Sequence, residues 1–162
     1  MDEINADLEK GEKQTKSDFN EVLDESSKLM KDIDKLQQQM LQEKELSWQD
    51  KKKLEQLMEQ YQKLQQQVND LKQQQQNQNN LENQYKDLDE DIIKKQKELQ
   101  KRMDQVLSDE MKQMIQKLQE MMNNSANKDQ IQKQMEKMKL NTQDINQTLD
   151  QQLQLYKQLE VE

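Results

Sequence analysis

The segment Leu54–Leu71, LEQLMEQYQKLQQQVNDL, carries a stripe of apolar residues at alternating steps of three and four. The stripe consists of Leu54, Leu57, Tyr61, Leu64, Val68 and Leu71. This spacing places the side chains on one face of an α-helix, and a stripe this narrow is typical of coiled coils. Because the stripe must be buried against another helix, from this chain or from a partner, the segment predicts a chain built for helix association.

The composition favours helices along the whole chain. The 162 residues include one glycine, Gly11, and no proline, and 36% of them are charged while 3% are aromatic. A hydrophobic fraction of 30% is too low for an ordinary globular core but fits elongated helices that each bury one stripe. Disorder is the competing interpretation of such polarity, and the regular apolar spacing argues against it over most of the chain. We predict an all-α fold.

The first two helices are predicted to form a long antiparallel hairpin with coiled-coil packing. The apolar spacing predicts helix one over about 12–46 and helix two over about 48–107, the latter about 90 Å long. Between them, Ser47 and Asp50 match a capping box, in which each side chain accepts a hydrogen bond from the other residue's backbone N–H. We therefore predict one hairpin domain over residues 1–107, with its turn near 46–48.

The spacing of helix two is interrupted between Leu71 and Leu81. This step is ten residues long, whereas a 4-3-4 continuation requires eleven, and the interval 72–80 holds mainly Gln and Asn. The interval is compatible with a continuous, locally distorted helix and with a hinge. The alternation is predicted to resume from Leu81 to Tyr85.

The last part of the chain, residues 108–162, is predicted to form a small cluster of three shorter helices. Ser108 resembles the cap of the first, and 123–127 resembles a loop. A short second helix follows, and Asn141 with Asp144 three residues later is able to cap the third.

Charge and composition exclude several classes of function. A net charge of −8 and a single arginine, Arg102, disfavour binding to nucleic acid or anionic lipid. No stretch approaches the roughly 18 apolar residues that a membrane span needs. With no His or Cys and a single Gly, common catalytic groups, zinc ligands and phosphate-binding loops are missing. We expect no enzymatic activity, no cofactor and no metal.

One acidic segment resembles a calcium-binding loop. The residues at positions 1, 3, 5 and 12 of an EF-hand pattern are Asp87, Asp89, Asp91 and Glu98. Ile92 stands where that loop requires a turn-forming glycine, and the apolar spacing runs through the segment. We interpret these carboxylates as a solvated helix face.

The eleven methionines are the most suggestive side chains, because methionine is flexible and recurs on surfaces that accept varied partners. The candidate interaction residues are Trp48, Met111, Met114, Met121, Met122, Met135 and Met138. The methionines are either core residues of the helical cluster or a groove for a partner helix or an unfolded client. Trp48 is either a packing anchor at the hairpin turn, which we favour, or an exposed contact residue.

Two stretches carry a family resemblance: LSDEMKQMIQKLQEMM, beginning at Leu107, and QMEKMKLNTQDINQTLDQQLQLYKQLEVE, beginning at Gln134. They resemble the Gln/Glu/Lys/Met-rich long-helix region of a Bacteroidota-type family of large membrane-anchored proteins of unknown function. The resemblance covers about a third of the chain. It implies a periplasm-facing segment of a larger protein tethered to the inner membrane; a cytoplasmic location is the alternative.

The expected function is that of a structural or interaction module, a spacer or scaffold of a larger cell-envelope protein or complex. The alternatives are a holdase-type chaperone and a bundle-forming tether that binds partner helices through Met-rich faces. Protein partners or self-association through helices are expected. The sequence decides neither the oligomeric state nor whether Met1 is the native start.

Overall fold

The computed structural model describes residues 2–85, 87–107, 109–123 and 128–161. They form five helices and no strand, so the predicted all-α class is confirmed. The helices are α1 (Asp2–Leu41), α2 (Trp48–Tyr85), α3 (Glu90–Leu107), α4 (Asp109–Asn123) and α5 (Lys128–Val161).

Helix α1 packs against α2, which runs antiparallel to it. Near the turn between them, Lys53 Nζ donates a hydrogen bond to Gln39 Oε1 at 2.8 Å. At the other end, a Cβ atom added to Gly11 would lie 2.5 Å from Gln78 Oε1. These paired positions establish the antiparallel direction, while the predicted coiled-coil packing of the two helices stays a prediction.

Helix α5 lies along another side of α1, also antiparallel. Lys139 Nζ lies 3.0 Å from Asp34 Oδ1, and the Phe19 and Tyr156 rings lie 6.3 Å apart. Between these two levels, Asn146 Nδ2 donates to the buried Ser26 hydroxyl at 2.7 Å. Among the described helices, α1 therefore packs against α2 and α5.

Helices α3 and α4 follow one another along α2 and together complete a four-sided bundle. Both pack against α2 and α5, and in the described parts of the chain neither contacts α1. Lys72 of α2 forms an ion pair with Asp104 of α3, and Tyr61 of α2 lies beside Met114 of α4. The fourth side of the bundle is thus one antiparallel column divided into two helices.

The buried apolar side chains of the bundle form one cluster. It contains residues of all five helices, from Phe19 of α1 to Leu153 of α5. The predicted division into residues 1–107 and 108–162 stays a prediction, although side chains from both ranges contribute to this cluster.

The prediction of a single, uninterrupted second helix is wrong. Helix α2 ends at Tyr85, and α3 begins at Glu90. The carbonyl oxygen of Asp89 accepts hydrogen bonds from the N–H groups of Ile92 and Ile93, each 3.1 Å long. The acidic residues of the first turn, including Glu90, interact favourably with the helix dipole and stabilise a new start here.

Of the two possibilities for 72–80, the continuous helix is the one found, since α2 passes through this interval. Its buried face continues from Leu71 in steps of four, three and four, at Gln75, Gln78 and Glu82. Leu81 lies one position away from this face and is 43% exposed. The prediction that the stripe resumes at Leu81 is therefore wrong, because polar residues occupy the buried positions of this part of α2.

The two last predicted helices form a single helix, α5. Asn141 lies inside it and is buried, so its predicted role as a helix cap is wrong. The helix passes this point without a break, and the neighbouring Thr142 Oγ1 donates to the Met138 carbonyl at 2.8 Å. The predicted cap at Ser108 and most of the predicted loop, 124–127, lie outside the described residues.

Candidate functional site

The turn between α1 and α2 contains the predicted capping box. The Asp50 N–H donates to Ser47 Oγ at 3.1 Å, and the Ser47 N–H donates to Asp50 Oδ2 at 3.4 Å. The Lys51 N–H donates to the Ser47 carbonyl at 3.1 Å, which begins the helical hydrogen-bond pattern. This prediction is confirmed, and it fixes where α2 begins.

Two carboxyl groups meet at the same turn. A hydrogen bond with Asp50 and partial burial raise the pKa of Glu43 above its ordinary value. Burial acts to raise the pKa of Asp50 as well, but hydrogen bonds from Glu43 and Ser47 outweigh it, and the pKa of Asp50 is lowered. The opposite directions of these two shifts mean that Glu43 holds a proton more strongly than Asp50 does. Lys128 Nζ of α5 also reaches this turn and donates to the Glu43 carbonyl oxygen.

Trp48, the first residue of α2, lies at the surface. Its side chain is 71% exposed, so the packing-anchor interpretation is wrong. Lys52 Nζ lies 4.6 Å from the centroid of the Trp48 ring, one helical turn further on, in a cation–π contact. Leu41 at the end of α1 is also exposed, and the turn thus presents two large apolar side chains to solvent.

The other candidate interaction residues belong to the core or lie against it. Met111, Met135 and Met138 are buried, whereas Met114, Met121 and Met122 are partly buried against the core. The structure brings these methionines together in one apolar cluster, and Trp48 is not part of it. In this position Met111, Met135 and Met138 fill space between helices, while the interpretation as a groove for a partner stays a prediction.

A hydrogen-bonded group at the centre of the bundle was missed by the sequence analysis. The Tyr61 hydroxyl donates to Asn141 Oδ1 at 2.6 Å, and Asn141 Nδ2 donates to the Val106 carbonyl at 3.4 Å. Val106 lies in the last turn of α3, where carbonyl groups lack helical partners. A signal was present, because Asn141 lies three residues after Met138 and four before Ile145, on the core face of α5.

The end of the bundle away from the α1–α2 turn has a polar interior. We call this the polar end and define it by its buried polar residues. They are Glu12 and Thr15 of α1, Gln75, Gln78, Asn79 and Glu82 of α2, and Gln96 of α3. Gln96 Nε2 donates to Asn79 Oδ1 at 3.5 Å across the α2–α3 contact. The Gln-rich interval at 72–80 was the sequence signal for this feature.

The acidic segment near the start of α3 takes a different form from the predicted helix face. Asp87 and Asp89 precede the helix, and only Asp91 and Glu98 lie on it. Throughout the described ranges, no group of three or more His, Cys, Asp or Glu side chains is placed to hold a metal ion. In the same ranges, no helix has the length and apolar character needed to cross a membrane.

The fold and these features define an all-α helical-bundle protein. Comparison with protein-family models, with curated proteins and with solved structures found no match. The family resemblance of the two C-terminal stretches stays a prediction.

Proposed function

We propose that this chain is a structural and interaction module, a helical scaffold that presents a polar surface and an exposed turn to protein partners. One observation carries the proposal: the apolar stripes of all five helices are buried against one another in a single core. A chain that covers its own stripes does not need a partner helix to fold.

The exposed turn is the part of this scaffold that we assign to partner contact. Trp48 and Leu41 are large apolar side chains held at the surface, and tryptophan is enriched at the centres of protein interfaces. Lys52 restrains the indole ring, which lowers the cost of ordering it on binding.

The alternative of a holdase-type chaperone requires a contiguous exposed apolar surface. Among the described residues, the exposed large apolar side chains are Leu41, Trp48, Leu81 and Leu140, which lie on three helices. The alternative of a tether that needs a partner helix requires an uncovered stripe. The buried core supports the scaffold over both. A place in a larger cell-envelope assembly is part of the proposal only through the family resemblance.

The test is size-exclusion chromatography with light scattering, with circular dichroism recorded on the same peak. We expect a highly helical monomer. A weakly helical monomer would mean that another chain supplies part of the core, and a defined oligomer would mean that the functional surface lies between copies; either result contradicts the proposal.

A second measurement separates the scaffold from the holdase. The chain is added in equal molar amount to an aggregating, chemically unfolded client protein, and light scattering is followed. The scaffold is expected to leave the rate of aggregation unchanged, whereas suppression would support the holdase.

Trp48 provides a test of the contact surface, because it is the single tryptophan of the chain. Its fluorescence emission is expected near that of solvent-exposed indole and should shift to shorter wavelength when a partner covers the turn. The Trp48→Ala variant should retain the helical content of the parent and lose partner binding, while Trp48→Phe should retain part of it. Unchanged binding by Trp48→Ala would remove the turn from the proposal.

A further inference from the structure

The interior of the polar end differs from the rest of the core in chemistry but not in burial. Each of its seven defining residues is at most 8% exposed. Along α2, the buried face is apolar from Leu54 to Leu71 and carries polar residues from Gln75 to Glu82. The hydrophobic effect, which holds the apolar part together, therefore contributes much less at this end.

Three of the seven residues of the polar end, Thr15, Asn79 and Gln96, are incompletely paired. Asn79 and Gln96 share one hydrogen bond at 3.5 Å, the long limit for such a bond. Asn79 Nδ2, Gln96 Oε1 and Thr15 Oγ1 are buried and have no hydrogen-bond partner in the protein. Burying an unpaired polar group costs free energy, and that cost is recovered when the group meets water. Closure of this end is therefore weakly favoured.

The first half of α3 is the most lightly held wall of the polar end. The buried residues of α3 are Gln96, Met103 and Leu107, so both buried apolar residues lie in its second half. In the first half, Ile92 and Ile93 are only partly buried. The non-helical segment before Glu90 also separates this half of α3 from α2 along the chain. The apolar residues of the first half, Ile92, Ile93 and Leu99, are thus less buried than Met103 and Leu107 in the second.

We propose that the polar end is a conformational device: the first half of α3, residues 90–99, and the last part of α2, residues 75–85, separate from the bundle as one unit while the apolar part stays closed. The opening exposes the amide groups of Asn79 and Gln96 together with the partly buried side chains of Ile92, Ile93 and Leu99. The inference goes beyond the proposed scaffold function, because the opening requires no partner.

Native-state hydrogen exchange of the full chain, read by mass spectrometry, tests the proposal. Peptides covering 75–85 and 90–99 are expected to exchange at least about tenfold faster than peptides covering 57–68 and 135–149, and at a common rate. If the polar end exchanges as slowly as the apolar part, or if 75–85 and 90–99 exchange at unrelated rates, the proposal is wrong.

A pair of matched variants tests the cause. Asn79→Leu with Gln96→Leu replaces the two facing amides by apolar groups, and exchange in both segments should slow by about tenfold or more. The control, Asn80→Leu with Lys97→Leu, changes the next residue of each helix, where both side chains are exposed. An equal slowing in the control would assign the effect to helix propensity and overturn the proposal. If the variant Asn79→Leu with Gln96→Leu fails to fold, the hydrogen-exchange pattern of the unchanged chain decides whether the proposal holds.

Discussion

The hydroxyl group of Tyr61 connects three helices through one side chain, because Asn141, which accepts its hydrogen bond, also donates to Val106. Tyr61→Phe leaves Asn141 Oδ1 buried without this donor. We expect the free energy of unfolding to fall by about 1–3 kcal/mol, measured by urea titration.

The control is a double-mutant cycle with Asn141→Leu. Once the amide has been replaced by an apolar group, Tyr61→Phe should cost less than it does in the unchanged chain. Equal costs in the two backgrounds would show that the Tyr61 hydroxyl does not act through Asn141.

The Glu43–Asp50 pair makes stability depend on pH. The pKa of Glu43 is raised in the folded state, so its contribution is present below its ordinary pKa of 4.5 and is lost as pH rises through the folded value. The pKa of Asp50 is lowered, so its contribution is present above its ordinary pKa of 3.8 and is lost as pH falls through the folded value. The pair is therefore most favourable when Glu43 is protonated and Asp50 is ionised.

Glu43→Gln keeps a hydrogen-bond donor at this position and removes the charge. We expect its Tm to exceed that of the unchanged chain by more at pH 7 than at pH 4, because protonation of Glu43 removes the charge as pH falls. Thermal unfolding at both pH values checks this. A difference that grows as pH falls would contradict the assigned direction of the Glu43 pKa.

At the scale of elements, the start of α2 depends on its capping box. Ser47→Ala removes the oxygen that accepts the Asp50 N–H, and we expect a loss of about 1 kcal/mol, or about 2–4 °C in Tm. Gln49→Ala, an exposed position in the same first turn, is the matched control and should change Tm little. Similar losses in the two variants would argue against the cap.

Helix α5 offers the same substitution in two environments. Leu149 is 1% exposed, and Leu140 is 52% exposed. Leu149→Ala should destabilise the protein by about 2–5 kcal/mol through lost burial and a cavity, whereas Leu140→Ala should stay within about 0.5 kcal/mol. Chemical denaturation of both variants checks which face of α5 lies in the core.

The formation of helices and the position of the α1–α2 turn could be predicted from the sequence, because their signals are local. The apolar spacing of α2 and the Ser47–Asp50 pair depend on residues three or four positions apart. The break before Glu90 was missed because the segment has no proline or glycine, and because an apolar spacing continues across it. Its local signal was the acidic run from Asp89, which favours a helix start.

Other features depended on contacts between distant parts of the chain. Asn141 fits a capping pattern locally, but its partners Tyr61 and Val106 lie 80 and 35 residues away. Gln75 and Gln78 are buried in the assembled bundle, where Gly11 of α1 approaches Gln78, although their own polarity predicts exposure. Of the candidate interaction residues, the methionines lie in the core or against it, whereas Trp48 at the turn is exposed.

At the scale of the whole molecule, Phe19 of α1 lies beside Tyr156 of α5, although the two are far apart in the sequence. Since the chain has no native cysteine, Asn20→Cys and Lys157→Cys, both exposed, can be spin-labelled without interference. Electron spin resonance should give a short distance between the two labels of this pair. In the pair Leu41→Cys with Lys157→Cys, the distance between the labels should be longer by about 30 Å. Helices extended end to end would give the opposite order.

The contact of Phe19 with Tyr156 also decides how the bundle would respond to mechanical load. A force that pulls α1 and α5 apart at this end acts on one contact level at a time, and so peels the two helices from each other instead of shearing them along their whole length. Separation would start beside the polar end, where the interior has the fewest buried apolar contacts. We therefore expect α1 and α5 to separate under weak tension. When the tension is released, they should pack together again, beginning near the α1–α2 turn.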